Sequence, residues 1–451
     1  MKIFSVFLQA LSWNALGALA YKFFLLTHQF ILFKTIDTSL YGQVGTIFSG
    51  IYFLISITNF GFEYTFFPLF EKLSHSKNHA RIFIQYCYIR IAIGIFVGII
   101  SFLLGYNIPY IFGFLGPTIT AMPLSLLIIG CGIIIAEAIK KSCMVIMQLS
   151  FQNKISSFLE VSSLILYIAL IWGTYFFTHS ISMYLLLAAL LFAIIIEIIG
   201  SFWFISKWYY SLPETSLHIS IPTREILHQQ FYNYFNQLIK ALFSPNYLLL
   251  LASSQLGFYK VGVIKLITEV IGFLYTFFHK TIALAAGATF IQINKEKDKT
   301  IAILFYKITG IYSWVVQLSV WTCCLLQYYI SAYEYADQNF VILMLIFISM
   351  IEYMMLPYEK LFITQSAAKA LMLCNSISAL LYILSLISGL IATFYVLPSL
   401  FFIRYITLII YARYLAKQWH IFTPSKIWIP IHAAALFVLI ASYIYFSGFL
   451  K

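Results

Sequence analysis

Thirteen charged side chains stand within or at the ends of long apolar runs: the cations Lys22, Arg90, Lys240, Lys265, Lys280, Lys307 and Arg404, and the acids Glu63, Glu137, Glu160, Glu197, Glu269 and Glu352. A charge at bilayer depth costs about 2.5–3.5 kcal/mol on insertion scales, so such groups face protein or water and mark polar pathways. Two of the acids have a local basic partner. Glu137 and Lys141 are an i,i+4 pair in the favourable order, and Lys265 with Glu269 is one in reverse. Around Lys240 no acidic residue stands at i±3 or i±4, where Asn236, Gln237, Phe243 and Ser244 occur. Gln230, Asn233, Gln237, Lys240 and Ser244 instead fall within about 80° of one helix face. Lys22 is placed similarly with Asn14, Ala18 and Gln29. The expectation is that these stripes line a hydrated cavity; the competing reading is a buried structural network between helices.

The segments carrying these residues repeat. Leu40 to Glu63, LYGQVGTIFSGIYFLISITNFGFE, has the plan of Gly257 to Lys280, GFYKVGVIKLITEVIGFLYTFFHK, 217 residues later. Tyr41-Gly42-Gln43-Val44-Gly45 aligns without gaps with Phe258-Tyr259-Lys260-Val261-Gly262. On a helix, Gly45, Ser49, Ser56, Asn59 and Glu63 share one narrow face, and Gly262, Glu269, Thr276 and Lys280 share the equivalent one. Two related halves with matching polar stripes point to a duplicated membrane transporter.

The composition requires a membrane. The chain is 62% hydrophobic and 9% charged, against about 25% charged in a soluble domain. Segments of about 20 apolar residues number thirteen, near 8–33, 44–70, 83–105, 121–148, 158–178, 181–206, 229–253, 258–289, 301–326, 339–364, 369–394, 397–417 and 427–447. Only Phe177-Thr178-His179-Ser180 separates the fifth from the sixth. The expected fold is an all-α polytopic membrane protein with two six-helix lobes and an extra C-terminal helix. Its parts are an N-terminal lobe 1–207, a cytoplasmic linker 208–228, a C-terminal lobe 229–418 and the added helix 419–451. Alternate connections carry the basic residues, among them Lys72, Lys77 and Arg81, then Lys154, then Lys207 and Arg224, whereas Tyr106 to Thr120 has no Lys or Arg. Lys34 is the exception. This alternation places the N-terminus in the cytoplasm and accounts for most of the formal +12 charge without a nucleic-acid partner. The first segment is too long for a signal peptide and should be retained. The six cysteines lack metal-ligand spacing and read as small hydrophobes. No metal or cofactor is implied.

The run Thr35-Ile36-Asp37-Thr38-Ser39-Leu40-Tyr41-Gly42, followed by Asn59-Phe60-Gly61-Phe62-Glu63, resembles the first two helices of polysaccharide flippases. These belong to the multidrug/oligosaccharidyl-lipid/polysaccharide (MOP) exporter superfamily. In that family an lg-x-x-x-yG run closes the first helix and a d-fG run ends the second. The resemblance implies two lobes rocking around a central cationic cavity to carry an undecaprenyl-diphosphate-type oligosaccharide across the cell inner membrane. It implies cavity cations on the first, second, seventh and eighth helices. Lys22, Lys240, Lys265 and Lys280 fill such places here, beside Asn233 and Gln237, while the second helix offers no cation. Coupling to an ion would fall to Glu63, Glu269 or Glu352. Beyond the lipid-linked oligosaccharide and membrane lipid, the implied partners are the glycan polymerase or glycosyltransferases of the same pathway. The rival within the superfamily is a cation- or proton-coupled multidrug exporter. A membrane glycan polymerase or ligase ranks lower, because the external loops are short and nearly free of Arg and His.

Overall fold

The computed structural model describes residues 2–59, 61, 77–107, 123–149, 153–214, 223–244, 246–247, 249–250, 253, 257–266, 268–270, 348, 351–352, 355, 359, 362, 368–387, 403–411 and 413–414. Every regular element among them is an α-helix. Glu63, Lys280, Lys307 and the expected helix 419–451 lie outside the described residues. The chain divides into two compact units, Met1–Ile291 with Phe362–Ala379 and Gln292–Leu361 with Leu380–Lys451. The cavity described below belongs wholly to the first.

In that unit α1 (Lys2–Thr35) and α2 (Thr38–Ile57) are separated by two residues. The sequence left a longer break here, between 33 and 44, and started the second helix six residues too late. The reason for the shift is Asp37, whose Oδ2 accepts from the backbone N–H groups of Ser39 at 3.0 Å and Leu40 at 3.2 Å and so starts α2 at once. Tyr41 and Gly42 therefore sit in the first turns of α2 and do not close α1. At its other end α2 stops well short of residue 70. The hydroxyl of Thr58 donates to the Ile55 carbonyl at 2.8 Å, and Gly61 follows at φ 69°, a left-handed position that glycine takes without strain.

The next four helices, α3 (Lys77–Asn107), α4 (Leu124–Leu149), α5 (Asn153–Thr178) and α6 (Met183–Ser211), match the expected segments, extended at several ends by a few residues. The narrow break before α6 is real. His179 turns the chain at φ 53°, and Ser182 Oγ caps α6 by accepting from Leu185 N at 3.2 Å. The connection after α6 runs only from Leu212 to α7 (Thr223–Ala241), shorter than the expected 208–228.

The seventh segment, expected over 229–253, is not one helix. Backbone bonds of the i→i−3 kind close α7 at Leu242, Phe243 and Ser244. Pro245 follows, and a proline disfavours helical backbone in the residue before it. Ser244 Oγ then accepts from Tyr247 N at 3.2 Å, starting the chain again. Lys240 thus lies in the last turn before a break. A helical stretch, 258–266 with 268–270, follows Gly257.

Polarity in this bundle is inverted relative to a soluble one. On α6, Ala193, Glu197 and Ser201 are buried, whereas Phe192, Ile195, Ile196, Ile199, Phe202 and Trp203 are exposed. Outward apolar side chains have no water to avoid when the surroundings are lipid, and the polar groups find partners inside. Four helices among the described residues are long and apolar enough to cross a membrane: Leu16–Thr35, Thr38–Ile57, Lys154–Thr178 and Met183–Ser211. The chain is a multi-pass membrane protein.

Close helix approach is made by small residues, as expected where lipid tails give no hydrophobic drive between helices. Gly94 and Gly98, four apart on α3, lie against Ala138 and Ile135 of α4. Cys87 and Cys143 pack with Val145, Ile146 and Met147 as plain hydrophobes. The helices meet in the order α1 on α5, α5 on α6, α6 on α4, with α2 touching both α1 and α4. That arrangement closes a ring.

Candidate functional site

The ring encloses a cavity of about 260 Å³, near the small end of ligand sites, which run from about 300 to 1,000 Å³. α1 contributes Tyr21, Lys22, Leu25 and Gln29; α2 contributes Phe48 and Tyr52; α4 contributes Glu137 and Lys140. From α5 come Ser163, Leu164 and Tyr167, from α6 Leu190, Ala193, Ile194 and Glu197, and from the stretch after Gly257 come Lys265 and Glu269.

Its charges fall into two clusters. In the first, Lys265 pairs with Glu269 one turn away, the two side chains being 12% and 18% exposed. Lys22 also acts electrostatically on Glu269. The stem of Lys265 crosses α2 at Gly45, where a Cβ would lie 2.9 Å from Lys265 Cγ. The polar stripes of the two repeats therefore meet here, glycine against lysine. Nearby, Gln29 is fixed by the Tyr41 hydroxyl, which donates to its Oε1 at 2.7 Å.

In the second group one ammonium serves two carboxylates. Lys140 Nζ lies 2.8 Å from Glu137 Oε1 and 3.6 Å from Glu197 Oε2. The Ser163 hydroxyl donates to the same Glu197 oxygen at 2.6 Å. The link ties α4, α5 and α6 together. Tyr52, also in the lining, is within electrostatic reach of Glu137, Lys140 and Glu269.

With three lysines and three glutamates the lining is formally neutral, whereas the sequence led us to expect a cationic cavity. Lys22, Lys265 and Glu269 are brought together as expected. Lys240, Asn233 and Gln237 do not line this cavity. Asn233 and Gln237 instead face the end of α2, where Gly61 packs on α7 and its N–H donates to Gln237 Oε1 at 3.1 Å. Glu352 belongs to the second unit, where Arg404 Nε and Nη2 grip its carboxylate from two sides. Glu63 and Lys280 lie outside the described residues. Lys140 is the lining residue that sequence reasoning missed. Glu137 had a satisfactory i,i+4 partner in Lys141, and nothing local signals that Glu197 of α6 arrives beside Lys140.

No protein-family model matches the sequence, and no curated protein matches it. Solved structures do. Over 92% of this chain and 95% of the other, it superposes on an outward-facing multidrug resistance MATE family transporter of the MOP superfamily, with TM-score 0.63 at 13% identity. A eukaryotic MATE transporter gives TM-score 0.60 at 14% identity over 90% of this chain and 96% of that one. The Vibrio cholerae MATE transporter VcmN gives 0.58 at 13% over 92% and 97%. The fold is that of MATE transporters, which are members of the MOP superfamily.

Proposed function

We propose that the chain is a MOP-superfamily exporter that works by alternating access of two lobes and carries a lipid-linked oligosaccharide of the undecaprenyl-diphosphate type across a bacterial inner membrane. The observation that carries the choice of cargo is the presence of two ammonium groups, Lys22 and Lys265, in the lining of one cavity beside Glu269. A diphosphate leaving water loses its hydration, and charge-assisted bonds from two ammonium groups offset that loss. The prenyl tail stays in lipid beside the bundle. The rocking parts are taken as lobes 1–207 and 229–418, joined through 208–228, with 419–451 as an added helix. The N-terminus is taken as cytoplasmic. Lys77, Lys154 and Lys207 stand at one end of their helices, where Lys154 lies 4.8 Å over the ring of Trp13. An excess of lysine at one membrane boundary is the pattern of the cytoplasmic side. Glycosyltransferases or a polymerase would act before and after the transfer.

A second reading has its own support. The excess carboxylate at Glu137 and Glu197 suits a cationic cargo, as in a multidrug exporter, the description that several of the superposing transporters carry. One assay separates the two. Purified protein in proteoliposomes is given a fluorescent prenyl-diphosphate oligosaccharide, and transfer is read by quencher access; a parallel sample receives a cationic dye. Oligosaccharide transfer that drops at least tenfold, equivalent to about 1.4 kcal/mol, in Lys22→Ala/Lys265→Ala supports the flippase. Dye transport without lipid transfer establishes the alternative.

A further inference from the structure

We infer that the side-chain amide of Gln29 donates to the head group of the cargo, and that Tyr41 is the positioning residue that aims it. The inference rests on the flippase reading. It adds to Lys22 and Lys265 an uncharged contact, made to an acceptor oxygen of the phosphate or of an acyl group on the adjoining sugar.

The amide is held by one of its two ends. A carboxamide carries a carbonyl acceptor and an NH2 donor on opposite branches of one plane. The Tyr41 hydroxyl donates to Gln29 Oε1 at 2.7 Å, which settles the branch that faces α2. Gln29 lines the cavity and Tyr41 does not. The other branch, Nε2, is therefore turned away from Tyr41. It makes no hydrogen bond among the described residues and is not enclosed by protein, so its N–H groups open on the cavity.

The holder is itself fixed. Tyr41 is 1% exposed in the first turns of α2. Its ring stands edge-on to Phe33 of α1, with centroids 5.4 Å apart, and packs with Val44, Leu164 and Tyr167. A buried tyrosine hydroxyl needs a partner, and among the described residues Gln29 is the one it has. Turning the amide over, to show the cavity its carbonyl, would leave the tyrosine proton buried without an acceptor. The cavity therefore meets donors at this point.

Position suits the role. Lys22 and Gln29 are seven residues apart on α1, so they share a face and stand about 10 Å apart along its axis. Tyr41 precedes by one helical turn Gly45, where the stem of Lys265 crosses α2. The amide thus lies near the lysine that the flippase reading sets on the diphosphate. A phosphate oxygen, or an acyl oxygen on the next sugar, offers lone pairs and asks no acceptor in return.

The test uses the full chain in proteoliposomes with two prenyl-diphosphate monosaccharides. They are alike except that the sugar carries an acetamido group in one and a hydroxyl in the other. Gln29→Met keeps the length of the side chain and removes its donors, whereas Tyr41→Phe breaks the bond between the helices and keeps the amide. The expected result is a KM for the acetamido lipid raised about fivefold in Gln29→Met, the worth of one hydrogen bond. Tyr41→Phe should raise it less, and in both variants KM should move more than the maximal rate. A loss on the acetamido lipid alone identifies the acyl oxygen as the acceptor, and an equal loss on both lipids identifies the phosphate. While the wild type transfers lipid, either of two results overturns the assignment. One is an unchanged KM in Gln29→Met; the other is an equal rise in both variants, which reduces the bond to a tie between α1 and α2. Transfer of neither lipid by the wild type removes the flippase reading, and the assignment falls with it. Should Gln29→Met fail to accumulate, Gln29→Glu takes its place with the same expected order, since it keeps an acceptor for Tyr41 and has no amide donor.

Discussion

Lys140 and Lys265 are both cavity lysines with carboxylate partners, but they carry different structural loads. Lys140 serves Glu137 and Glu197, whose side chains are 5% and 2% exposed, and it links α4 to α6. Lys265 serves one carboxylate on its own helix, and that pair is partly open to the cavity. Removing one partner of a buried pair costs about 3–5 kcal/mol, because the other charge is left unpaired. Lys140→Ala should therefore fall near that range and lower the melting temperature of the detergent-solubilised protein below that of Lys265→Ala, which leaves behind one less-buried carboxylate instead of two. Equal melting temperatures would mean that Glu137 and Glu197 do not depend on Lys140. For Lys265, the double change Lys265→Ala/Glu269→Ala should restore protein level but not lipid transfer, since it removes the unpaired carboxylate together with the ammonium proposed to hold the diphosphate. Transfer at the wild-type rate in that double variant would take Lys265 out of the site. Lys265 with Glu269 was legible in the sequence because the spacing is local. Lys140 was not, because three charges at 137, 140 and 141 offer Glu137 two partners, and only the arrival of α6 distinguishes them.

At the scale of elements, α2 is the member to which both repeats are fastened. Near its start Gly42 lies against the helical stretch after Gly257: a Cβ there would overlap the Phe258 carbonyl, and one on Gly262 would overlap the Thr38 carbonyl. Past its other end, Gly61 packs on α7 against Gln230, Asn233 and Tyr234. Phe48 and Tyr52, which line the cavity, lie between these two contacts. The obstructing atoms at Gly42 and Gly262 are backbone and cannot rotate away. Gly42→Leu or Gly262→Leu should accordingly force the helices apart, at an overpacking cost of about 1–3 kcal/mol, and slow transfer more than Gly173→Leu, where an added Cβ meets nothing within 4 Å. Parallel rates for all three variants would show that the close approach is irrelevant to transport. The repeat that names these glycines was visible in the aligned Tyr41 and Phe258 runs. What alignment lacked was their mutual contact, since it matches Gly42 with Tyr259 while the packing sets Gly42 beside Phe258 and Gly262. The helix ends were read less well for a physical reason. Caps such as Asp37 and Ser244 act through one or two hydrogen bonds, which hydropathy averaged over a segment does not register.

For the whole molecule the class, and over the described residues the order of the first six helices, were legible because lipid requires of each an apolar run long enough to cross. The structure adds a physical tie between two of the connections. Lys77, at the start of α3, pairs with Glu214 just after α6 at 2.9 Å, and its backbone N–H donates to the Pro213 carbonyl at 3.2 Å. The Lys77 ammonium holds the Glu214 carboxyl below the usual carboxylate range. A depressed folded value means that the pair contributes at and above the ordinary carboxylate pKa and is lost as pH falls through the folded one. The pair is exposed to solvent, so it adds little to stability, but it does report position. Both ends must lie on one side of the membrane. With α3, α5 and α6 each crossing once, Asn153 belongs to that side, and Asn107 and His179 to the other. In a cysteine-free background, single cysteines at Asn153 and Glu214 should react with an impermeant maleimide only after the cytoplasmic face is opened, and cysteines at Asn107 and His179 in intact cells. Labelling of His179 and Glu214 from the same side would break the alternation on which the orientation, and with it the direction of transport, depends.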